Sequence, residues 1–453
     1  MDMKKKMIIT TAAVLLALSM TSIPAGYVHA TEQNWNNVIY PGVYIRDIDV
    51  SGKDIAQAEK ILEEAYEKPI LSKRIDIKAG DKVYSLDYGK LDAQYNISEV
   101  VNEAFSYGKD ENIIKKYKLI KSPERKDYTL SFTYNAKPID EIVDRIEKDV
   151  YKNPVDASIS INNGIIKITS EINGTRLEKD KLRQAIVKEI NDELSVEEIQ
   201  IEAPVEAIQS NITKKKLSAI NTPIASFSTG FSTSTANRIN NIQLATRSIN
   251  GTLLMPGETF SFNETVGERT VKRGYRAAGV IIDDKIESGI GGGICQVSST
   301  LYNAMLKANI TAKERRPHSL PLTYVGKGLD ATVDWGNIDF KFKNTLSTPM
   351  YIEGYTKDKK VFFNIYSDKA LAKRTYQMAT EIYDTIEPTV VYKDDPNIPE
   401  GETEVVKKPS KGYKVKVYRK TYENGKLIGT ELVSKDFYKP VKGEIIRGTK
   451  KVS

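Results

Sequence analysis

One cysteine and two histidines in 453 residues set narrow limits on the chemistry. A single thiol permits no internal disulfide, so the cores must hold by ordinary packing. In a secreted chain such a thiol either pairs between molecules or stays free and reactive. One cysteine and one histidine cannot close a zinc site, which usually takes four ligands. No metal and no cofactor is therefore expected. No lysine-rich arm or interleaved aromatic stripe occurs, so nucleic acid is not an expected partner. The one long apolar run is N-terminal: MDMKKK, then MIITTAAVLLALSM, then Val28-His29-Ala30 with small residues where a signal peptidase reads. Residues 1–30 read as a signal peptide cleaved after Ala30. The alternative is an uncleaved anchor, since Met7 to Ile23 almost spans a thin membrane. That segment is the only route to a membrane, and both readings place the rest outside the cytoplasm, secreted or associated with the wall or membrane.

Loss of the leader removes Lys4, Lys5 and Lys6 against Asp2, which takes the formal charge from +7 to +5. A modest positive balance suits an anionic cell wall. It also removes His29, so Cys295 and His318 become the only residues of their types. With 40% hydrophobic and 28% charged residues the chain can bury sizeable cores and stay soluble. Its length predicts two to four domains.

The fold class expected is α+β and multidomain. Region 38–207 repeats strand–helix units: GVYIRDIDVSGKDIAQAEKILEEAYEK, FTYNAKPIDEIVDRIEKDVY and EINGTRLEKDKLRQAIVKEIND. The third has Leu182, Ile186, Val187 and Ile190 as its apolar stripe. Asn163-Gly164, flanked by isoleucines, marks a hairpin. The region holds no cysteine, histidine or glycine-rich loop and reads as a binding or spacer module. Residues 208–226 read as a polar linker, 225–356 as a mixed α/β domain, and 357–374 as a second link. Residues 375–450 read as a thin, extended β module, with a second hairpin signal at Asn424-Gly425.

Chemistry concentrates in GGGICQVSST, residues 291–300. Val297, Leu301, Ala304, Met305 and Ala308 have helical spacing, and the glycines before them do not, so Cys295 is placed at a helix start. There the dipole and unpaired N–H groups favour thiolate. The same groups, with the loop at Gly292, Gly293 and Gln296, are candidate donors to a developing oxyanion. The rival reading is a small buried thiol packing beside Ile294. His318, in ERRPHSLP, is the candidate base, 23 residues downstream across one helix and a return loop. Asp330, Asp334 and Asp339 are candidates to orient it, with Asp330 favoured because a return strand brings it beside the loop. Arg315 and Arg316 are candidate grips for a carboxylate or phosphate, or else a solvated helix end. Ser298, Ser299 and Thr300 have no visible base and read as helix-start and packing residues.

GETFSFNETVG, GGGICQVSSTLYNA, ERRPHSLP and DATVDWG, in that order, closely resemble the VanW family of cell-envelope proteins, over roughly residues 225–356. Region 38–207 resembles the peptidoglycan-binding domain that often precedes VanW domains, and 375–450 resembles the G-five domain, associated with the cell wall or N-acetylglucosamine. The resemblance implies L,D-transpeptidation of peptidoglycan, with the motif cysteine, here Cys295, as nucleophile and the motif histidine, here His318, beside it. It carries over no third residue. The implied partners are peptidoglycan stem peptides and glycan. Two other readings stand beside this one: a cysteine hydrolase of wall peptides, and a wall-binding protein without catalysis.

Overall fold

The protein is described by a computed structural model that covers residues 25–162, 164–194, 198–282 and 285–451. The leader reading falls mostly on residues 1–24 and so lies outside the described residues. Ala25–Gln33 is helical and runs through the expected cleavage site. Among the described residues no helix is long and apolar enough to cross a membrane. The chain is α+β and divides into two compact units, one of Met1–Pro154 with Asn173–Gln209, the other of Val155–Ile172 with Ser210–Ser453.

The first unit is built from the strand–helix units read in the sequence. Helix α1 (Ile55–Leu62) starts at Asp54, whose carboxylate accepts from the Gln57 N–H at 2.8 Å, while the Gln57 side chain accepts from the Asp54 N–H. That reciprocal cap satisfies two otherwise orphaned donors. Strands β1 (Arg74–Ala79) and β2 (Lys82–Asp87) form a hairpin. Helices α2 (Lys137–Val150) and α3 (Lys179–Glu189) pack on each other. Strand β3 (Ile199–Glu202) closes the sheet parallel to β1. In α3 only Leu182 and Ile186 of the expected stripe are fully buried, and Val187 is exposed.

In the second unit, β4 (Thr222–Gly230), α4 (Ala236–Ile249) and β5 (Thr252–Leu254) precede a hairpin of β6 (Ala277–Ile282) and β7 (Lys285–Ile290). Helix α5 (Ile294–Lys307) follows, and then β8 (Met350–Lys357) and β9 (Lys360–Ser367). The sheet order is β4-β9-β8-β5, antiparallel throughout, and both α4 and α5 pack against it and against each other. Helix α5 is buried on nearly every side. Leu301, Tyr302, Met305 and Leu306 each contribute roughly 1.5–3 kcal/mol by leaving water.

Two stretches read as links are ordered. Thr213 caps a helical turn at Lys214–Leu217 whose Leu217 is fully buried beneath the lysines. Residues 360–367 are β9, with Val361, Phe363 and Ile365 alternating into the core. Asn163 lies outside the described residues, but the strands around it pair Asn162 with Ile165.

Residues 374–450 form β10 (Arg374–Ile386), β11 (Val390–Pro399), β12 (Thr403–Lys407), β13 (Gly412–Glu423), β14 (Lys426–Tyr438) and β15 (Gly443–Lys450). They form two three-stranded sheets, β10-β13-β14 and β11-β15-β12. Asn424 and Gly425, both at positive φ, make the β13–β14 turn. On β14, Asp436 and Tyr438 share one face and are buried, while Phe437 between them is exposed. That buried face packs on the loop that holds Asp330.

Candidate active site

Helix α5 begins at Gly293, held at φ +103°. A Cβ there would come within 2.9 Å of Arg238 Cγ, and one at Gly291 within 3.1 Å of Arg269 Cβ. The glycines are thus filled from within, by two arginine stems that converge on the start of the helix. A Cβ at Gly292 would meet the backbone of Ala278 and Gly279 within 2.8 Å, which leaves no opening for a substrate at that residue. Cys295, one residue into the first turn, is half-buried, with Sγ 3.6 Å from the Val333 carbonyl.

The polar start of α5 fastens the segment that carries Asp330. Ser298 Oγ donates to the Ala331 carbonyl at 2.6 Å, and Ser299 Oγ accepts from the Ala331 N–H at 3.0 Å. Asn303 Nδ2 donates to the Leu329 carbonyl at 2.6 Å. On the other side, Thr332 N–H donates to the Arg316 carbonyl at 2.9 Å, which draws the histidine loop alongside. These bonds set Asp330 against His318. Asp330 Oδ2 accepts from the His318 backbone N–H and lies 2.6 Å from Nδ1, so Nε2 is the nitrogen left for the thiol.

The other oxygen of Asp330 is held from β14. Tyr438 donates its hydroxyl to Oδ1 at 2.6 Å and accepts from the Gly328 N–H at 2.6 Å. Gly328 stands at φ +85°, and a Cβ there would lie 2.3 Å from Val417 Cγ2 on β13. Arg315 spans both parts. Nη2 reaches Asp330 Oδ1 at 3.3 Å, Nη1 reaches Asp436 Oδ1 at 2.5 Å, and Nε donates to the Asp330 carbonyl at 2.6 Å.

Charge follows this geometry. Burial pushes the Cys295 thiol up, but the hydrogen bond and charge of His318, a backbone hydrogen bond at Val333 and the charge of Arg269 outweigh it and hold the thiol below its ordinary 9.0. Burial works to lower His318, yet its hydrogen bonds to Asp330 and Cys295 and their charges raise it from 6.5 to about 9. Against burial, His318, Arg315 and Tyr438 hold Asp330 below the usual carboxylate range. The arrangement favours a thiolate–imidazolium pair with an ionised carboxylate behind it. Burial, and then the charge of Cys295, push the Tyr324 phenol well above its ordinary range.

Of the three candidate aspartates, Asp330 is the one at His318. Asp334 accepts from Asn337, and Asp339 accepts from Ser261 and the Asn263 N–H. Gln296 lies a third of a turn beyond Cys295 and points elsewhere. Its amide donates to Thr229 and the Gly230 carbonyl and accepts from Arg238, so it is scaffold and no oxyanion donor. The N–H groups of Ile294 and Gln296 are taken by the carbonyls of Gly291 and Gly293. Arg315 is engaged in the brace and offers no grip to substrate, while Arg316 is exposed. Sequence reasoning missed Arg238, Arg269, Tyr324 and Tyr438. None has a local motif, and Tyr438 reaches Asp330 across 108 residues.

Family profiles match the chain in three stretches: a VanW like protein over residues 237–366, a peptidoglycan binding domain over 84–197 and a G5 domain over 379–450. Protein YoaR of Bacillus subtilis is 30% identical over 261 residues, 56% of this chain and 84% of that protein. The vancomycin B-type resistance protein VanW of Enterococcus faecalis is 32% identical over 138 residues, 29% of this chain and 50% of that protein. Among solved structures, the G5 domain of an IgA1 protease is 26% identical, covering 17% of this chain and 92% of that one, with a TM-score of 0.14.

Proposed function

Because this chain belongs to the VanW family and carries peptidoglycan-binding and G5 domains, we propose that it is a peptidoglycan L,D-transpeptidase with Cys295 as nucleophile, His318 as acid and base, and Asp330 as the residue that orients His318. The observation that carries this reading is the series thiol, imidazole, carboxylate, with Nδ1 of His318 taken by Asp330 at 2.6 Å and the thiol held below its ordinary range. A small buried thiol in a packing role needs no such partners.

In this mechanism Sγ of the thiolate forms a bond to the carbonyl carbon of the stem-peptide diamino acid. The C–N bond to the terminal D-amino acid breaks, and the imidazolium proton of His318 goes to the departing amine. A thioester remains. An acceptor amine from a second stem then attacks it, gives its proton to the now neutral His318, and displaces Sγ as thiolate. The product is a 3-3 cross-link, and the enzyme returns to its ion pair. The peptidoglycan-binding and G5 domains hold the protein on the polymer while this happens.

Mass spectrometry of purified muropeptides incubated with the protein tests the proposal. Wild-type protein is expected to give dimers and Cys295→Ala none, with wall binding retained by both. Shortened stems without dimers would make the protein a hydrolase. Dimers from the alanine variant would end both enzyme readings.

A further inference from the structure

Resting on the transpeptidase reading of Cys295, we infer that Arg269 is the binding residue for the C-terminal carboxylate of the donor peptide. It would thereby select a scissile bond one residue from a free chain end.

Both terminal nitrogens of Arg269 are buried and make no hydrogen bond among the described residues. A buried guanidinium left without acceptors is costly, because nothing replaces the water it has lost. The carboxylates nearest to it do not serve: Asp334 accepts from Asn337, and Asp339 accepts from Ser261 and Asn263. The other arginine at the start of α5, Arg238, differs in this respect, since its Nη1 donates to Ser234 and Gln296.

The position of Arg269 is fixed from two sides. Its stem lies on Gly291, four residues before Cys295. Its guanidinium carbon lies 5.6 Å from the Phe262 ring and 5.9 Å from the Trp335 ring. Trp335 is two residues beyond Val333, whose carbonyl lies beside Sγ, and is itself partly exposed. The unpaired cation therefore flanks the thiol, behind an aromatic side chain that reaches solvent. Arg269 and the thiolate are close enough for each to favour the other's charge. A planar fork with two free N–H edges matches a carboxylate, which it can bind bidentately. A peptide that presents its last carboxylate there would place its final amide near Sγ, with a single amino acid as leaving group.

The test uses the full chain and two readouts. First, Cys295, as the only thiol, is alkylated with iodoacetate, an anion, and with neutral iodoacetamide. The wild-type preference for iodoacetate, relative to a free thiol, is expected to fall about 10-fold or more in Arg269→Gln. It should be largely kept in Arg269→Lys, while the iodoacetamide rates, each corrected for the thiolate fraction of its own variant, stay close and show that the site is folded. An unchanged ratio in Arg269→Gln overturns the proposal, whatever the enzyme does. Second, tetrapeptide donors ending in carboxylate or carboxamide are compared. Wild type should prefer the acid by roughly 30-fold or more in kcat/KM, and Arg269→Gln should not discriminate. If the variant slows both donors equally, the guanidinium serves the oxyanion and the carboxylate assignment is wrong. If wild type turns over neither donor, the transpeptidase reading fails, and the alkylation ratio still decides the role of Arg269.

Discussion

Replacing His318 with alanine separates the influences on Cys295. Burial raises the thiol and remains in the variant, while the hydrogen bond and charge of His318, the largest opposing influences, are lost. The charge of Arg269 still favours thiolate. The size of the loss can be gauged from the other partner. An imidazole raised from 6.5 to about 9 holds its proton about 3 kcal/mol more tightly than a free one. Asp330 and Cys295 share that preference, and by linkage what the thiolate gives the imidazolium the imidazolium gives back. A contribution of half that size from Cys295 is worth about tenfold in thiolate population. The thiol of His318→Ala should therefore titrate higher than in wild type, with about tenfold less thiolate below its midpoint. The assay is absorbance at 240 nm against pH, taken as the difference from a matching Cys295→Ala protein so that the 25 tyrosines cancel and the single thiolate remains. Alkylation by iodoacetamide at pH 7 should slow in step. A midpoint in the variant equal to that of wild type would refute the ion pair and leave Cys295 dependent on Arg269 and its helix.

Catalysis should show a basic limb near pH 9, where His318 loses the proton it gives to the leaving amine, and that limb should vanish in His318→Ala. For stability the signs partly cancel. A raised His318 contributes stability below about 6.5 that is lost as pH rises through about 9, whereas a lowered Cys295 contributes stability at high pH that is lost as pH falls. Chemical denaturation should therefore show the loss of the His318 contribution between roughly pH 6.5 and 9 offset in part by the Cys295 contribution, which grows as pH rises. Asp330→Asn should cost roughly 1,000-fold in turnover, since Nδ1 loses its anionic acceptor and Arg315 a buried counter-charge. A variant as active as wild type would remove Asp330 from the mechanism. Tyr438→Phe should cost about 2 kcal/mol, read as several degrees in Tm, because it leaves the Gly328 N–H without its acceptor and Asp330 without a donor. An unchanged Tm and rate would show that the brace is idle.

The parts of the site legible in the sequence are those set by local physics. Glycines that cannot sit inside a helix, followed by apolar residues at helical spacing, put Cys295 at the start of α5. Proline-bounded His318 and the return segment then had only a short distance to cover. Gln296 was misread because adjacency in sequence places it on another face of the helix. What fills the space at the glycines had no signal, since the arginine stems that lie on Gly291 and Gly293 come from distant segments. Strand β9, in KVFFNIYS, fell within the stretch read as a link, since Phe362 and Tyr366 blur the alternation of Val361, Phe363 and Ile365. The lysine run at 214–216 likewise disguised a helical turn that is anchored by Leu217. Tyr438 had no signal at all, since its partner lies in a different sequence module.

If Asp330 orients His318 as proposed, the hold of Tyr438 on Asp330 makes strand length a variable of the reaction. Between the Asn424-Gly425 turn and Tyr438, β14 carries two bulges, opposite Val417/Tyr418 and Thr421/Tyr422. Each takes in one extra residue, and together they deliver Tyr438 on the inward face. A residue gained or lost elsewhere in β14 reverses that phase, presenting Phe437 to the Asp330 loop and the phenol to solvent. Length changes in this surface hairpin are therefore silent only where a bulge absorbs them. Otherwise they release Asp330 from Tyr438 while the cysteine and histidine motifs stay intact.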